Sequence, residues 1–229
     1  FTFQSVPDTP VVPSNPPHKM SEQKQDYPKI TVTYFPIHGR AGPVRAALAV
    51  AGVPYEDKFI RGADLGALKK DGKILWKGVP QIEVDGKLFG QSNAQVRYAA
   101  ALNPAAKLYP TDALEILRVE EIIGAIDDVG SKLGPTYSMA DAEKKAAREE
   151  LSKDFIPHML KQFEARINEN KASPFVVGDN LTIADLRLWF LVEAVEGGNL
   201  DHIPTDIAKG YAGLQGLKKA VEANANFQK

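Results

Sequence analysis

Two rhythms of apolar and polar positions divide the chain. Up to about residue 90 the apolar runs are short, and several of them alternate with polar residues. Residues 30–35 (I-T-V-T-Y-F) are rich in β-branched and aromatic side chains and predict a strand. Pro43 suits the first turn of a helix, V-R-A-A-L-A-V-A continues it, and Gly52-Val53-Pro54 ends it. Residues 55–60 read as a second strand. Strand, helix and strand with short loops make a βαβ unit, so these two strands should run parallel. Residues 61–76 hold a short helix around 63–70 and a turn at Asp71-Gly72. Gln81, Glu83 and Asp85 then alternate with Ile82 and Val84, the period of a half-buried strand. Asp85-Gly86 between two such runs signals a hairpin. Ser92 stands three residues before Gln95, a capping-box spacing that predicts a helix from about residue 93 to 102.

After residue 110 the rhythm is helical. Ile116, Ile123, Ile126 and Leu133 mark one stripe of a helix over 113–133, which Gly134-Pro135 breaks. Leu151, Phe155, Leu160, Phe163 and Ile167 mark another stripe within 141–170. Pro157 must kink that helix or lie in the first turn of a new one. Thr182 and Asp185 have N-cap spacing, with Leu181 and Leu186 placed as a hydrophobic staple. The following L-W-F-L-V predicts a buried helix, and a last helix lies near 214–223. The order βαβ, short helix, ββ, α is thioredoxin-like. The expected fold is therefore an α/β thioredoxin-like N-terminal domain with a mixed four-stranded sheet, joined by a linker at 103–110 to an all-α C-terminal domain.

Composition narrows the chemistry. Apolar residues make up 44% and charged residues 25%, an ordinary globular balance. The net charge of −1 argues against nucleic acid or a membrane as a partner. The absence of Cys excludes disulfides, thiolate metal sites and a protein thiol nucleophile. His18, His38, His158 and His202 show no metal-ligand spacing, so no metal is expected. Residues 1–28 are proline-rich and polar without apolar periodicity, and read as a disordered leader or vector-derived remnant.

Two places look able to receive a ligand. Pro80 lacks an N–H, and Val79 before it is pushed towards an extended conformation. The Val79 N–H and C=O are then expected to face outward, ready for another extended peptide; the isomer of the Val79-Pro80 bond stays open. Gln91-Ser92 opens a helix, whose free N–H groups and positive potential suit a carboxylate. A strand edge beside a carboxylate site suits a small acidic peptide.

From about residue 29 to 227 the chain resembles a cytosolic glutathione S-transferase, nearest the sigma class. The residues that carry the resemblance are T-Y-F-x4-R-A at 33–41, V-P-x-I-E-V-D-G-K-L, Q-S-N-A and L-T-I-A-D, in that order. The resemblance implies a thioredoxin-like glutathione-binding domain over 29–103 and an all-helical domain over 104–229. It implies glutathione as co-substrate, a hydrophobic electrophile, a homodimer and a cytoplasmic protein. Tyr34 would donate to the glutathione thiolate, with Arg40 beside it as a second catalytic residue. Lys69, Lys77, Gly78, Val79 and Pro80 would line the peptide. Gln91 and Ser92 would hold the γ-glutamyl carboxylate. Asp128 of the other subunit, with Asp127 beside it, would meet the amino group.

The chain also departs from the sigma pattern. Leu65 and Lys69 stand where sigma-type chains carry a Trp and a Lys, so the Trp contact is missing unless Trp76 replaces it. Gly134-Pro135 stands near the position of a Trp in prostaglandin-making relatives, which argues against prostaglandin synthesis. The absence of Cys speaks against relatives that use a protein thiol.

The chemistry is of the right size. A thiol titrates near 8.5, and lowering it by two units takes about 2.7 kcal/mol. One hydrogen bond to a charged group supplies roughly 1.5–3 kcal/mol. Against this stand plainer readings: Ser92 as a helix cap, Asp127-Asp128 as a solvated helix face, and Thr182 and Asp185 as purely structural. Leu133 and Tyr137 either line an electrophile pocket or pack. A non-catalytic transferase-like structural or binding protein is the alternative function. Glutathione-dependent peroxide reduction or isomerisation would use the same site.

Overall fold

The computed structural model describes residues 26–227. The leader expected at 1–28 lies, over 1–25, outside the described residues; 26–29 have no regular structure. The first half holds β1 (Ile30–Tyr34), α1 (Gly42–Val50), β2 (Glu56–Phe59), α2 (Gly62–Lys70), β3 (Gln81–Val84), β4 (Lys87–Phe89) and α3 (Ser92–Leu102). The sheet order is β2-β1-β3-β4. β1 pairs parallel with β2, with Tyr34 opposite Phe59, and antiparallel with β3, with Val32 opposite Ile82. This is the expected mixed sheet of the thioredoxin-like half.

Position in the sheet explains the composition of each strand. β1 is central and carries Ile30, Val32 and Tyr34 into the core. β2 is an edge, and all four of its residues are exposed. Asp85 and Gly86 turn β3 into β4 with φ of 47° and 80°, the left-handed pair a two-residue hairpin requires. Lys29 N–H donates to the Asp85 carboxylate at 2.9 Å, and Asp85 N–H returns to the Lys29 carbonyl at 3.0 Å. The hairpin tip is thereby tied to the entry of the central strand.

The second half is helical: α4 (Ala113–Leu133), α5 (Asp141–Lys153), α6 (Phe155–Glu169), α7 (Ile183–Glu196) and α8 (Ala212–Glu222). The α4 stripe is completed by Val119, Ile122 and Val129, while Ile116 is only half-buried. Pro157 lies in the first turn of α6, where its missing N–H costs nothing. α7 is the buried helix, with Leu188 and Trp189 at 2% exposure or less. Its start is fixed by the Thr182–Asp185 capping box. Asp185 accepts from the Thr182 N–H and hydroxyl and from the Val176 N–H, each at 2.7 Å.

α7 also joins the two halves. A Cβ on Gly42 would stand 2.5 Å from the Phe190 ring, so α1 and α7 close to contact only because residue 42 is glycine. Arg97 of α3 pairs with Glu120 of α4, its Nε donating at 2.8 Å, and the Tyr109 hydroxyl donates to the same carboxylate at 2.7 Å.

Candidate functional site

Tyr34 ends β1 with its ring buried and its hydroxyl turned towards the loop that follows. That loop folds back, and the Arg40 backbone N–H donates to the Tyr34 oxygen at 3.2 Å. Gly39 makes the approach possible. It adopts φ +40°, and a Cβ there would stand 2.6 Å from the hydroxyl oxygen. Because that oxygen already accepts a hydrogen bond from the Arg40 N–H, the hydroxyl proton itself is left to point elsewhere.

The Arg40 side chain crosses to β3. Its Nη2 donates to the Val79 carbonyl at 2.8 Å. This corrects one expectation: the Val79 C=O is not an open edge acceptor, because the guanidinium reaches it first. The Val79 N–H has no partner among the described residues. The Val79-Pro80 bond is cis. Tyr34, Arg40, Gly78, Val79 and Pro80 therefore stand together.

Gln91 and Ser92 stand at the adjoining helix start, with a second correction. Ser92 is the first residue of α3, and Gln91, with φ +68°, is the capping position. The expected Ser92–Gln95 capping box does not form. Gln95 is buried and donates instead to the Pro80 and Phe89 carbonyls, at 3.0 Å each, clamping the start of β3 to the end of β4. The Ser92 and Asn93 N–H groups remain at the open end of the helix, where an anion is favoured.

Trp76 and Lys77 take φ of 55° and 56° in a turn at Leu75–Lys77. Buried Gln81 holds this turn, accepting from the Leu75 N–H at 2.9 Å and donating to the Lys73 carbonyl at 3.1 Å. The Trp76 indole lies over Gly90, where a Cβ would meet its Cδ1 at 2.4 Å. Trp76 is thus next to the α3 start, yet 74% exposed. Lys69 and Lys77 are both exposed, Lys69 in the last turn of α2, which has no buried residue. Nothing in the structure ties Lys69 to Tyr34 or Ser92.

The two aspartates of α4 separate. Asp127 accepts from Asn93 Nδ2 at 2.6 Å and from Arg187 Nη2 at 2.8 Å, holding α3, α4 and α7 together. Asp128 is exposed beside it. Leu133 is buried in the helical core and Tyr137 is 62% exposed. The sequence reading missed the roles of Gly39, Gln95 and Asp127; a glycine between Tyr34 and Arg40 was the one signal that could have been read. No group of three or more His, Asp or Glu residues that could hold a metal ion occurs among the described residues. No helix among them is long and apolar enough to cross a membrane.

Comparison with known proteins places the chain in a family. Residues 127–229 match the family described as "Glutathione S-transferase, C-terminal domain". The chain is 32% identical to Glutathione S-transferase A1 of Homo sapiens over 189 residues, 82% of this chain and 81% of that one. Among solved structures it is similar to prostaglandin synthase D of Nilaparvata lugens, with a TM-score of 0.76 at 25% identity, covering 87% of this chain and 95% of that one. It is also similar to the sigma class GST of Fasciola hepatica, with a TM-score of 0.71 at 25% identity, covering 86% and 91%.

Proposed function

The chain belongs to the glutathione S-transferase family, and on that premise we propose that it conjugates the glutathione thiolate to small hydrophobic electrophiles through Tyr34. The observation that carries this reading is the Tyr34–Arg40 hydrogen bond. The hydroxyl oxygen accepts the Arg40 N–H, so its proton is available to a thiolate lying in front of it. Tyr34 is only 6% exposed, so that bond acts where water screens little.

The remaining assignments follow the same surface. The Val79 N–H bonds to the cysteinyl carbonyl, while Arg40, Gly78 and Pro80 shape the edge on which the peptide lies. The first N–H groups of α3, with Gln91 and the Ser92 hydroxyl, hold the γ-glutamyl carboxylate. Lys69 and Lys77 add positive charge at the rim. Asp128, exposed and one residue beyond the occupied Asp127, reaches the γ-glutamyl amino group of the other subunit in a homodimer. The domains divide at 103/104, and the protein works in the cytoplasm. A sigma-like class is supported by the Fasciola hepatica neighbour, while the Homo sapiens relative carries an A1 name. Peroxide reduction or isomerisation would draw on the same thiolate.

The test is the initial rate of glutathione conjugation to an activated aryl halide across pH 5.5–9, for wild type and Tyr34→Phe. A midpoint well below 8.5 in wild type, moving upward in the mutant, supports the proposal. An unchanged profile in Tyr34→Phe removes the tyrosine role. Retention on immobilised glutathione with no turnover in either protein would favour a non-catalytic binding protein.

A further inference from the structure

The loop between β1 and α1 carries both the Tyr34 partner and Arg40, yet little burial holds it. Pro36, Ile37, His38, Gly39 and Arg40 are all exposed. Its position therefore depends on a few contacts: the Arg40 bonds to Tyr34 and Val79, the His38 ring 5.4 Å from that of Phe190, and one side chain from α1 that holds its backbone carbonyls. Arg45, in the second turn of α1, donates from Nη1 to the Ile37 carbonyl at 2.8 Å. Its Nη2 faces the Phe35 carbonyl at 3.5 Å. Its Nε donates to Asp57 Oδ1 on β2 at 2.7 Å, and the Arg45 and Asp57 side chains are 14% and 23% exposed. The guanidinium lies 5.3 Å from the Phe59 ring centroid and 6.0 Å from that of Tyr34.

We propose that Arg45, aimed by Asp57, is a positioning residue for the transferase reaction. It holds the Phe35 and Ile37 carbonyls so that the loop returns the Arg40 N–H to the Tyr34 hydroxyl. The inference rests on the reading of Tyr34 as the thiolate donor. The fork geometry matters: a guanidinium serves a carboxylate and two carbonyls at once, whereas an ammonium has no planar fork to span them. Asp57 fixes the fork from the edge strand, so β2, otherwise exposed, gains a role in the site. Charge sits close by as well. The Arg45 guanidinium, paired with Asp57, lies 6.0 Å from the Tyr34 ring centroid, so losing its charge also lowers the positive potential around that ring.

Two measurements on the same proteins decide it: wild type, Arg45→Gln, Arg45→Lys, Asp57→Asn, Tyr34→Phe and, as a control on a remote surface pair, Arg166→Gln. The first is amide hydrogen exchange of the peptide covering 35–42, where the Ile37, Arg40 and Gly42 N–H groups are bonded. Arg45→Gln should exchange about tenfold faster there, Asp57→Asn less so, with the α7 amides unchanged. The second is the pH profile of kcat/KM for glutathione. Its midpoint should rise by about one unit in Arg45→Gln, with partial return in Arg45→Lys. Wild-type exchange in Arg45→Gln overturns the inference, because the loop is then held by something else. Faster exchange with an unmoved midpoint, while Tyr34→Phe does move it, also overturns it. A profile that Tyr34→Phe leaves unchanged strikes the thiolate reading instead, and the exchange data still decide whether Arg45 holds the loop.

Discussion

A methyl group on Gly39 would stand 2.6 Å from the Tyr34 hydroxyl oxygen, closer than the two atoms can approach without one of them moving. The backbone of Gly39, with φ +40°, also disfavours any L side chain. Gly39→Ala should therefore push the exposed loop off the Tyr34 hydroxyl while leaving the buried ring in place. We expect turnover at pH 6.5 to fall by about tenfold, the size of a one-unit upward shift in the thiol. Stability should fall by only about 1–2 kcal/mol, since the loop is exposed. Rates and urea midpoints measured together check this. A large stability loss with wild-type turnover of the folded fraction would show that the contact is merely structural.

Ser92 separates two roles that a cap and a ligand contact usually combine. Its hydroxyl closes no capping box, because Ser92 is already helical and Gln95 is engaged with the Pro80 and Phe89 carbonyls. Ser92→Ala should change stability by less than about 0.5 kcal/mol, below the usual cost of a lost N-cap. Glutathione affinity, read by titration calorimetry, should drop by about tenfold if the hydroxyl meets the carboxylate. Gln95→Ala should do the reverse first: it removes the donor shared by the buried Pro80 carbonyl and the part-buried Phe89 carbonyl and should cost about 2 kcal/mol of stability.

These two cases show where the sequence could be read and where it could not. The hairpin at Asp85-Gly86 and the Thr182–Asp185 cap were legible because both partners lie within four residues, so local chemistry decides them. The same held for the helices of the second half, whose apolar stripes repeat at helical spacing. Gln95 misled because its local spacing to Ser92 was right, yet the fold brings two strand carbonyls to it from Pro80 and Phe89. Arg40 and Val79 are 39 residues apart, and only closure of the sheet puts the guanidinium on that carbonyl. Asp127 has partners 34 and 60 residues away, so nothing in its own helix distinguished it from Asp128.

That distinction makes its own prediction. Asp127→Asn loosens the junction of α3, α4 and α7 and should lower stability by roughly 1–3 kcal/mol, as expected for a charged partner lost from Arg187. Asp128→Asn removes an exposed charge and should leave stability within about 0.5 kcal/mol. If Asp128 serves the other subunit's glutathione, its substitution should weaken binding in the dimer alone. Light scattering paired with calorimetry tests this; a monomer that binds glutathione with wild-type affinity would remove Asp128 from the site.

Two carboxylates should respond to acid in opposite directions. Glu120 lies below the usual carboxylate range, first because Arg97 hydrogen-bonds to it and then because Tyr109 does, against a partial burial that raises it. Its folded form therefore releases its proton more readily than the unfolded chain does. The stability it contributes is complete above about pH 4.5 and is lost as pH falls through the lower folded value. Asp185 is pushed up to about 6 from 3.8 by burial, against the hydrogen bonds from Val176 and Thr182 that hold it down. Between those values the folded state carries the extra proton, so this group favours the fold most below pH 3.8 and loses that contribution as pH rises through 6. The penalty of Glu120→Gln should accordingly be largest at neutral pH and shrink on acidification. That of Asp185→Asn should be largest in acid and shrink towards neutrality. Urea unfolding of the three proteins from pH 3.5 to 8 reads both signs. An Asp185→Asn penalty that instead grows from pH 5 to 7 would mean that the three donors around Asp185 outweigh its burial and keep it an anion in the folded state.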